Sequence, residues 1–132
     1  MSGAESGPGA APDSGVGGDP LIALRDALRG FAAERDWEQF HAPKNLAAAL
    51  SVEAAELLEP FQWLSEAESQ ALPPETHAAV RLEMADVLLY LVRLADRLDV
   101  DLAQAARDKL VLNAAKYPVG KARGTRTKYD AL

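Results

Sequence analysis

The chain has no cysteine among its 132 residues, which excludes disulfide bonds and thiolate metal sites. Histidine is scarce, with only two in the chain, and aromatic residues make up 6%. β-branched residues are also few, whereas alanine and leucine dominate a composition that is 48% hydrophobic. This balance favours helices over strands and suffices for one domain with a real core.

Positively charged residues are in the minority: the chain has 14 lysine and arginine residues and 20 aspartate and glutamate residues, which gives a net charge of −6. Such a balance argues against a general nucleic-acid-binding surface, but not against an anionic small molecule held through divalent cations. No apolar run reaches the ~18 residues that a membrane span needs. The first residues lack the basic and apolar pattern of a signal peptide. We therefore expect a cytoplasmic protein without a membrane partner.

Glycine, proline and charge divide the chain into three parts. Residues 1–19 hold six of the nine glycines and are predicted to be a disordered tail. Residues 119–132 are basic and are predicted to be a second flexible tail. Between them, residues 20–118 are predicted to form one all-α domain. Its helices are expected at about 20–35, 44–59, 75–98 and 102–117, with a minor helix at 65–70.

Local signals support these helices. Asp19 is expected to cap the first helix, with Pro20 at its first position. Ser65 is expected to cap the minor helix, and Asp101 to form a capping box with Gln104. Four substantial helices with short connectors and no strand pattern predict an antiparallel four-helix bundle.

Two helices carry acids where a plain bundle has apolar residues. The stretch LAAALSVEAAELL contains only Glu53 and Glu56 as charged residues, and LEMADVLLYLV contains only Glu83 and Asp86. Ionised carboxylates are seldom buried without a partner, because desolvation is costly. Within each helix the two acids are three residues apart and share a face. If the two faces oppose each other, a cation is needed to offset the repulsion.

The residue types indicate which cation would bind. An all-oxygen carboxylate site suits Mg²⁺ or Mn²⁺. A di-iron bundle needs a histidine three residues after a glutamate, and neither His41 nor His77 has that spacing. Two other interpretations remain open from the residues alone: an ordinary solvated face, or salt bridges to arginines of the long helix, namely Arg81, Arg93 and Arg97.

The double motif resembles the metal-binding signature of the MazG-like superfamily, in which E-x-x-E is followed after a gap by E-x-x-D. Val52 stands where many members carry a further glutamate, a change that the dCTP pyrophosphatase branch tolerates. The chain is most similar to this branch, over about residues 21–119. The similar segments are DWEQFHAPKNLAAAL, ELLEPFQWL, EMADVLLYLVRLADRLDVDL and KLVLNAAKYPV.

The resemblance implies a four-helix fold that assembles as a dimer or a dimer of dimers, with active sites near subunit interfaces. It also implies Mg²⁺-dependent hydrolysis of a (deoxy)nucleoside triphosphate, dCTP or a modified dCTP, to the monophosphate and pyrophosphate. The implied metal ligands and catalytic groups are Glu53, Glu56, Glu83 and Asp86, and which one acts as general base stays open. Glu59 is a candidate supporting acid or base, or simply a polar helix end.

The resemblance further implies a set of substrate-binding residues. Lys109, Asn113 and Lys116 form one stripe on the last helix and are expected to face the phosphates, with Lys44 as a further contact. The pocket for the base is expected to use Asn113 together with Trp37, His41, Trp63 and Tyr90. Each aromatic residue has core packing as its alternative, and the lysines have an exposed helix face.

Two rival functions stay open. The same motif serves MazG-like enzymes that act on dUTP or on a broad set of nucleoside triphosphates. A catalytically silent helical bundle that binds a partner is the rival of another class, although such a relative would be expected to have lost at least one of the four acids.

Overall fold

A computed structural model of the chain describes residues 18–131, with the side chain of Tyr129 left out of the description. The predicted disordered tail at 1–19 therefore lies almost wholly outside the described residues. Within that range the secondary structure is helical, without a strand. The helices are α1 (Pro20–Glu34), α2 (Pro43–Leu58), α3 (Glu66–Ser69), α4 (Pro74–Arg97), α5 (Leu102–Lys116) and α6 (Val119–Ala122). Two 3₁₀ turns, Glu38–Phe40 and Tyr129–Ala131, complete the set. The predicted all-α class with four long helices is confirmed.

The helix starts follow the predicted capping signals. Asp19 accepts a hydrogen bond from the backbone N–H of Leu21 at 2.9 Å, and Pro20 occupies the first position of α1. Ser65 and Glu68 form a reciprocal capping box at α3. These contacts satisfy backbone donors that have no partner in the first helical turn.

The predicted capping box at α5 is only half formed. Asp101 accepts from the backbone N–H of Gln104 at 3.0 Å, as expected. The side-chain oxygen of Gln104, which a capping box needs as acceptor, instead accepts from Arg107 at 2.9 Å, while its amide nitrogen donates to Asp108 at 2.8 Å. Neighbours three and four residues along the same helix therefore compete successfully for this side chain.

The chain groups into two compact units, one up to Asp99 and one from Val100 onward. In the first unit α4 packs against both α2 and α1. The buried apolar side chains of this unit are Ala32, Leu46, Val80, Val92 and Ala95. Because α4 lies against two helices, it can supply one face to each of them.

The second unit contains α5 and α6. The single domain expected over 20–118 stays a prediction. The short helix α6 lies inside the segment predicted to be a flexible tail. Pro118 ends α5 but also precedes α6 with a φ of −59°. A proline that stops one helix has the backbone angle that a following helix start accepts, which the sequence argument overlooked. No described helix combines the length and the apolar character that a membrane crossing needs.

Candidate metal centre and adjoining cavity

Three of the four predicted acids come together between α2 and α4. Glu53 and Glu56 lie one turn apart on α2, and Glu83 lies on α4, which packs against α2. One carboxylate oxygen from each lies within 4.8 Å of the others, and all three side chains are half-buried. The opposed-face arrangement predicted from the spacing is therefore present for these three acids.

Crowding changes the protonation of these groups. A hydrogen bond with Glu56, desolvation and the charges of nearby acids raise the pKa of Glu53 from 4.5 to about 7. Desolvation is the main cause that raises the pKa of Glu83, followed by the charges of Glu56, Asp86 and Glu59. Both shifts mean that the ionised cluster is unfavourable on its own.

Asp86 joins this cluster at its edge. It is exposed on α4, and its charge contributes to the raised pKa of both Glu53 and Glu83. It does not belong to the group of three whose oxygens lie within 4.8 Å. Glu59 is exposed just after α2, and its negative charge also acts on Glu83.

The salt-bridge alternative fails for the described residues. Among them, no ion pair includes Glu53, Glu56, Glu83 or Asp86. Arg93 instead pairs with Asp96 and Glu38, while Arg81 and Arg97 form no ion pair within the same range. The acids therefore gather without a cationic side chain to balance them.

The chemistry of this cluster fits a divalent cation. Oxygen Oε2 of Glu83 is buried and has no hydrogen-bond partner among the described residues. A buried carboxylate oxygen without a partner is costly, and a bound cation removes that cost. The donor set contains only oxygen, which hard ions such as Mg²⁺ prefer.

A cavity of about 400 Å³ opens beside this cluster in the first unit. Its wall includes three of the residues predicted to surround the base, Trp37, His41 and Tyr90. Asp86 also lines it, so one acid borders both the cavity and the carboxylate cluster. The remaining wall residues are Leu24, Ala27, Leu28, Phe31, Ala32, Leu46, Leu89 and Arg93. The cavity is thus largely apolar, with a few polar groups.

Aromatic contacts fix one side of the cavity. Trp37 packs edge-to-face on Phe31, with ring centroids 5.6 Å apart. The Trp37 and His41 rings are 6.5 Å apart and also meet edge-on. The guanidinium of Arg35 lies over the outer face of Phe31 at 3.6 Å from its centroid. These contacts hold Phe31 and Trp37 although each remains partly exposed.

Two predicted substrate contacts lie elsewhere in the first unit. Trp63 is 87% exposed in the turn after α2 and does not line the cavity. Lys44 is exposed in the first turn of α2 and does not line it either. The structure does not bring these two residues to the cavity, so their contact with a nucleotide stays a prediction.

The three residues predicted on the last helix lie on α5, in the second unit. Asn113 is half-buried, whereas Lys109 and Lys116 are exposed. Their spacing of four and three residues does place them along one stripe. Their role as phosphate contacts stays a prediction.

A network around the buried Arg93 in the cavity wall was not predicted from the sequence. Arg93 is only 4% exposed and donates from Nε to Nδ1 of His41 at 3.0 Å. Its Nη1 donates to Asp96 at 3.3 Å, and Arg29 binds the same carboxylate with two hydrogen bonds of 2.8 and 2.6 Å. The available signal was spacing, because Arg93 follows Tyr90 by three residues and Asp86 by seven, on one face of α4.

Comparison with known proteins agrees with the resemblance. The sequence matches the MazG-like family over residues 48–132. The dCTP pyrophosphatase 1 of Mus musculus is 51% identical over 118 residues, which cover 86% of this chain and 69% of that protein. The Homo sapiens protein of the same name is 49% identical with the same coverage. A pyrophosphatase crystal structure from Archaeoglobus fulgidus DSM 4304 has a TM-score of 0.73 at 38% identity, covering 80% of this chain and 99% of that one. The predicted resemblance is confirmed, and this chain belongs to the MazG-like family.

Proposed function

We propose that this protein hydrolyses dCTP, or a dCTP modified on its base, to the monophosphate and pyrophosphate with the help of Mg²⁺. One observation carries the proposal: Asp86 borders both the carboxylate cluster and the apolar cavity. A nucleoside triphosphate has two parts that match this arrangement: an anionic triphosphate for a cation at the carboxylate cluster, and a flat base for the apolar cavity. Two relatives that are about half identical to this chain are named dCTP pyrophosphatase 1, and this similarity supports dCTP as the substrate.

In this reaction a water oxygen attacks the α-phosphorus, and the bond from that phosphorus to the bridging oxygen of the β-phosphate breaks. Pyrophosphate leaves with the electron pair of that bond. The water proton passes to a basic group, for which the four acids are the candidates.

The residues that would hold the cation are Glu53, Glu56, Glu83 and Asp86. A divalent cation held there would offset the negative charge of the triphosphate and would make the attacking water more acidic. The unpartnered Oε2 of Glu83 and the all-oxygen donor set support this assignment. Mg²⁺ is proposed over softer metals because neither thiolate nor imidazole belongs to the donor set, and Mn²⁺ is an acceptable substitute.

The base is proposed to enter the cavity beside Trp37, His41 and Tyr90. A volume of about 400 Å³ is within the usual range for small-molecule sites. Aromatic walls favour any flat ring, so they contribute affinity with little selectivity among bases. Selectivity then depends on the few polar groups of the wall, because an unmatched polar group is left without a partner.

We also propose that the protein is a cytoplasmic homo-oligomer, a dimer or a dimer of dimers. Large apolar side chains remain exposed on both units, among them Leu82 and Met84 on α4 and three consecutive residues of α5, Leu110, Val111 and Leu112. Apolar surface of this kind often becomes buried between subunits. Light scattering at several protein concentrations tests the assembly.

The test of the activity is pyrophosphate release from dCTP, 5-substituted dCTP, dUTP, dTTP, dATP and CTP, with Mg²⁺ and with EDTA. Release that is fastest with the two dCTP-type substrates and stops in EDTA supports the proposal. Faster release from dUTP, or equal release from all six nucleotides, would support the proposed reaction but contradict dCTP as the preferred substrate. A folded protein that releases pyrophosphate from none of them overturns the proposal in favour of a silent bundle.

The carboxylate cluster is tested in the same assay with Glu83→Gln. Loss of one charged ligand should remove several kcal/mol of transition-state stabilisation, or at least about a hundredfold in kcat/KM. Glu75→Gln is the matched control, since Glu75 is an exposed acid in the first turn of the same helix. Equal activity of the two variants would contradict the assignment of Glu83.

A further inference from the structure

The polar group of the cavity wall with the most constrained surroundings is His41. It follows the 3₁₀ turn between α1 and α2, and its ring lines the cavity. Its Nδ1 accepts the hydrogen bond from Nε of Arg93 at 3.0 Å. An imidazole nitrogen that accepts a hydrogen bond carries no proton, so the proton of the neutral ring lies on Nε2.

The guanidinium that makes this contact is itself held on its other side. Nη1 of Arg93 donates to Asp96 at 3.3 Å, whereas the buried Nη2 has no hydrogen-bond partner among the described residues and lies 3.9 Å from a carboxylate oxygen of Glu38. Asp96 is fixed in turn by two hydrogen bonds from Arg29 on α1, which lower the pKa of its carboxyl and keep it ionised. With Nη1 held by Asp96, the planar guanidinium directs its Nε–H at His41.

The surroundings of His41 favour its uncharged form. Burial lowers the pKa of His41 first, and the positive charges of Arg93 and Arg97 lower it further, against a smaller opposite effect of Glu38. Among the described residues, Nε2 of His41 has no hydrogen-bond partner. The ring is thus a neutral donor on a cavity wall that is otherwise largely apolar.

We propose that Arg93 is a positioning residue that holds His41 as the Nε2–H tautomer, so that His41 offers a hydrogen-bond donor to an acceptor on the nucleotide base. The inference rests on the proposed function for the identity of the ligand. Cytosine has acceptors at O2 and N3, either of which suits a neutral N–H donor. Arg93 acts through His41 and needs no contact with the nucleotide.

The first test is the protonation state of His41 by ¹⁵N NMR of the imidazole at neutral pH. His77→Gln simplifies the spectrum, since His41 is then the only histidine of the chain. The proposal expects a protonated Nε2 and a bare Nδ1 in this protein. Adding Arg93→Met should mix the two tautomers, whereas Arg81→Met, which alters an exposed arginine of the same helix, should leave the spectrum unchanged. A proton on Nδ1 in the protein with Arg93 intact overturns the proposal.

The second test is a double-mutant cycle on dCMP binding, measured by NMR titration without metal. Arg93→Met should weaken dCMP binding about three- to tenfold, the usual effect of one hydrogen bond. In a His41→Ala background the same change should have no further effect. Binding of 2-deoxyribose 5-phosphate, which lacks the base, should not respond to either substitution. Equal losses from Arg93→Met with and without His41 would show a structural role and overturn the proposal.

The two proposals fail separately in these experiments. If dCTP is hydrolysed but the cycle shows no coupling, the positioning role is wrong and the proposed activity stands. If dCTP is not hydrolysed but dCMP binds with coupling between Arg93 and His41, the activity is wrong and the positioning role stands. Should Arg93→Met fail to fold by circular dichroism, the tautomer of His41 in the protein with Arg93 intact is the deciding measurement, and a proton on Nδ1 still overturns the proposal. Arg93→Lys keeps a charge and a donor, and it should retain the Nε2–H tautomer.

Discussion

The raised pKa of Glu53 makes Mg²⁺ binding depend on pH in a defined way. A carboxylate must lose its proton to become a ligand, so protons compete with the metal. With a pKa of about 7, Glu53 is mostly protonated at pH 6 and mostly ionised at pH 8 in the metal-free protein. The free energy of metal binding should therefore improve as pH rises to about 7 and then level off.

The magnitude follows from that pKa. A proton on Glu53 competes with Mg²⁺. The apparent dissociation constant for Mg²⁺ is therefore the intrinsic one multiplied by 1 + [H⁺]/Ka, where Ka is the acid constant of Glu53. Between pH 6 and 7 the dissociation constant for Mg²⁺ should fall about fivefold, and between pH 7 and 8 by about twofold or less. About half a proton should be released per bound metal at pH 7. The raised pKa of Glu83 adds to the same trend.

Isothermal titration calorimetry in two buffers of different ionisation enthalpy measures both the affinity and the proton release. Glu53→Gln is the informative variant, since glutamine keeps the shape of the side chain and does not titrate. It should bind Mg²⁺ more weakly and with a smaller pH dependence near pH 7, of which the part due to Glu83 remains. An affinity that is independent of pH, or an equal pH dependence in Glu53→Gln, would refute the reasoning.

Further predictions concern stability. The pKa of Glu53 is higher in the folded chain than its ordinary 4.5, so its contribution is fully present below 4.5 and is lost as pH rises through about 7. Between pH 5 and 8 the melting temperature of the metal-free protein should therefore fall more than that of Glu53→Gln. A saturating Mg²⁺ concentration should reverse this fall. Melting temperatures that change equally with pH in the two proteins would contradict the prediction. Leu46→Ala should cost about 2–4 kcal/mol in urea unfolding, because Leu46 is 2% exposed in the cavity wall. Asp19→Ala should cost about 1 kcal/mol by removing the α1 cap, and a loss below a few tenths would show that water replaces it. Trp63→Ala should stay within about 0.5 kcal/mol because the ring is 87% exposed, so a larger loss would place Trp63 in a subunit contact.

The carboxylate cluster was predictable because it contradicts the ordinary pattern of a bundle. Glu53 and Glu83 each lie within apolar stretches, and a three-residue spacing sets each beside a second acid on one face. Only the pairing of α2 with α4 had to be assumed. The helix starts were predictable for a similar reason, since caps and prolines act within one turn.

The arginine network was not predictable in the same way. Arg93 and Asp96 are three residues apart on α4, which is a common and usually exposed pairing. Their burial depends on Arg29 of α1 and on His41 of the loop, and these partners lie 67 and 52 residues away in sequence. Such contacts follow from how the helices pack. For Trp63, the resemblance implies a pocket position; the turn after Pro60 leaves the ring exposed, and its contact with a nucleotide stays a prediction.

Asp96 and Glu83 both lie on helix α4, but their surroundings indicate a structural role for Asp96 and a metal-binding role for Glu83. Asp96 has two arginines as partners, which lower the pKa of its carboxyl, so its charge is already balanced within the chain. Glu83 has no cationic partner among the described residues, and desolvation raises the pKa of its carboxyl. A carboxylate oxygen that is buried without a partner lowers the stability of the chain. Asp96 has two arginine partners, whereas Glu83 on the same helix has none among the described residues. This difference is expected if Glu83 binds a cation from solution.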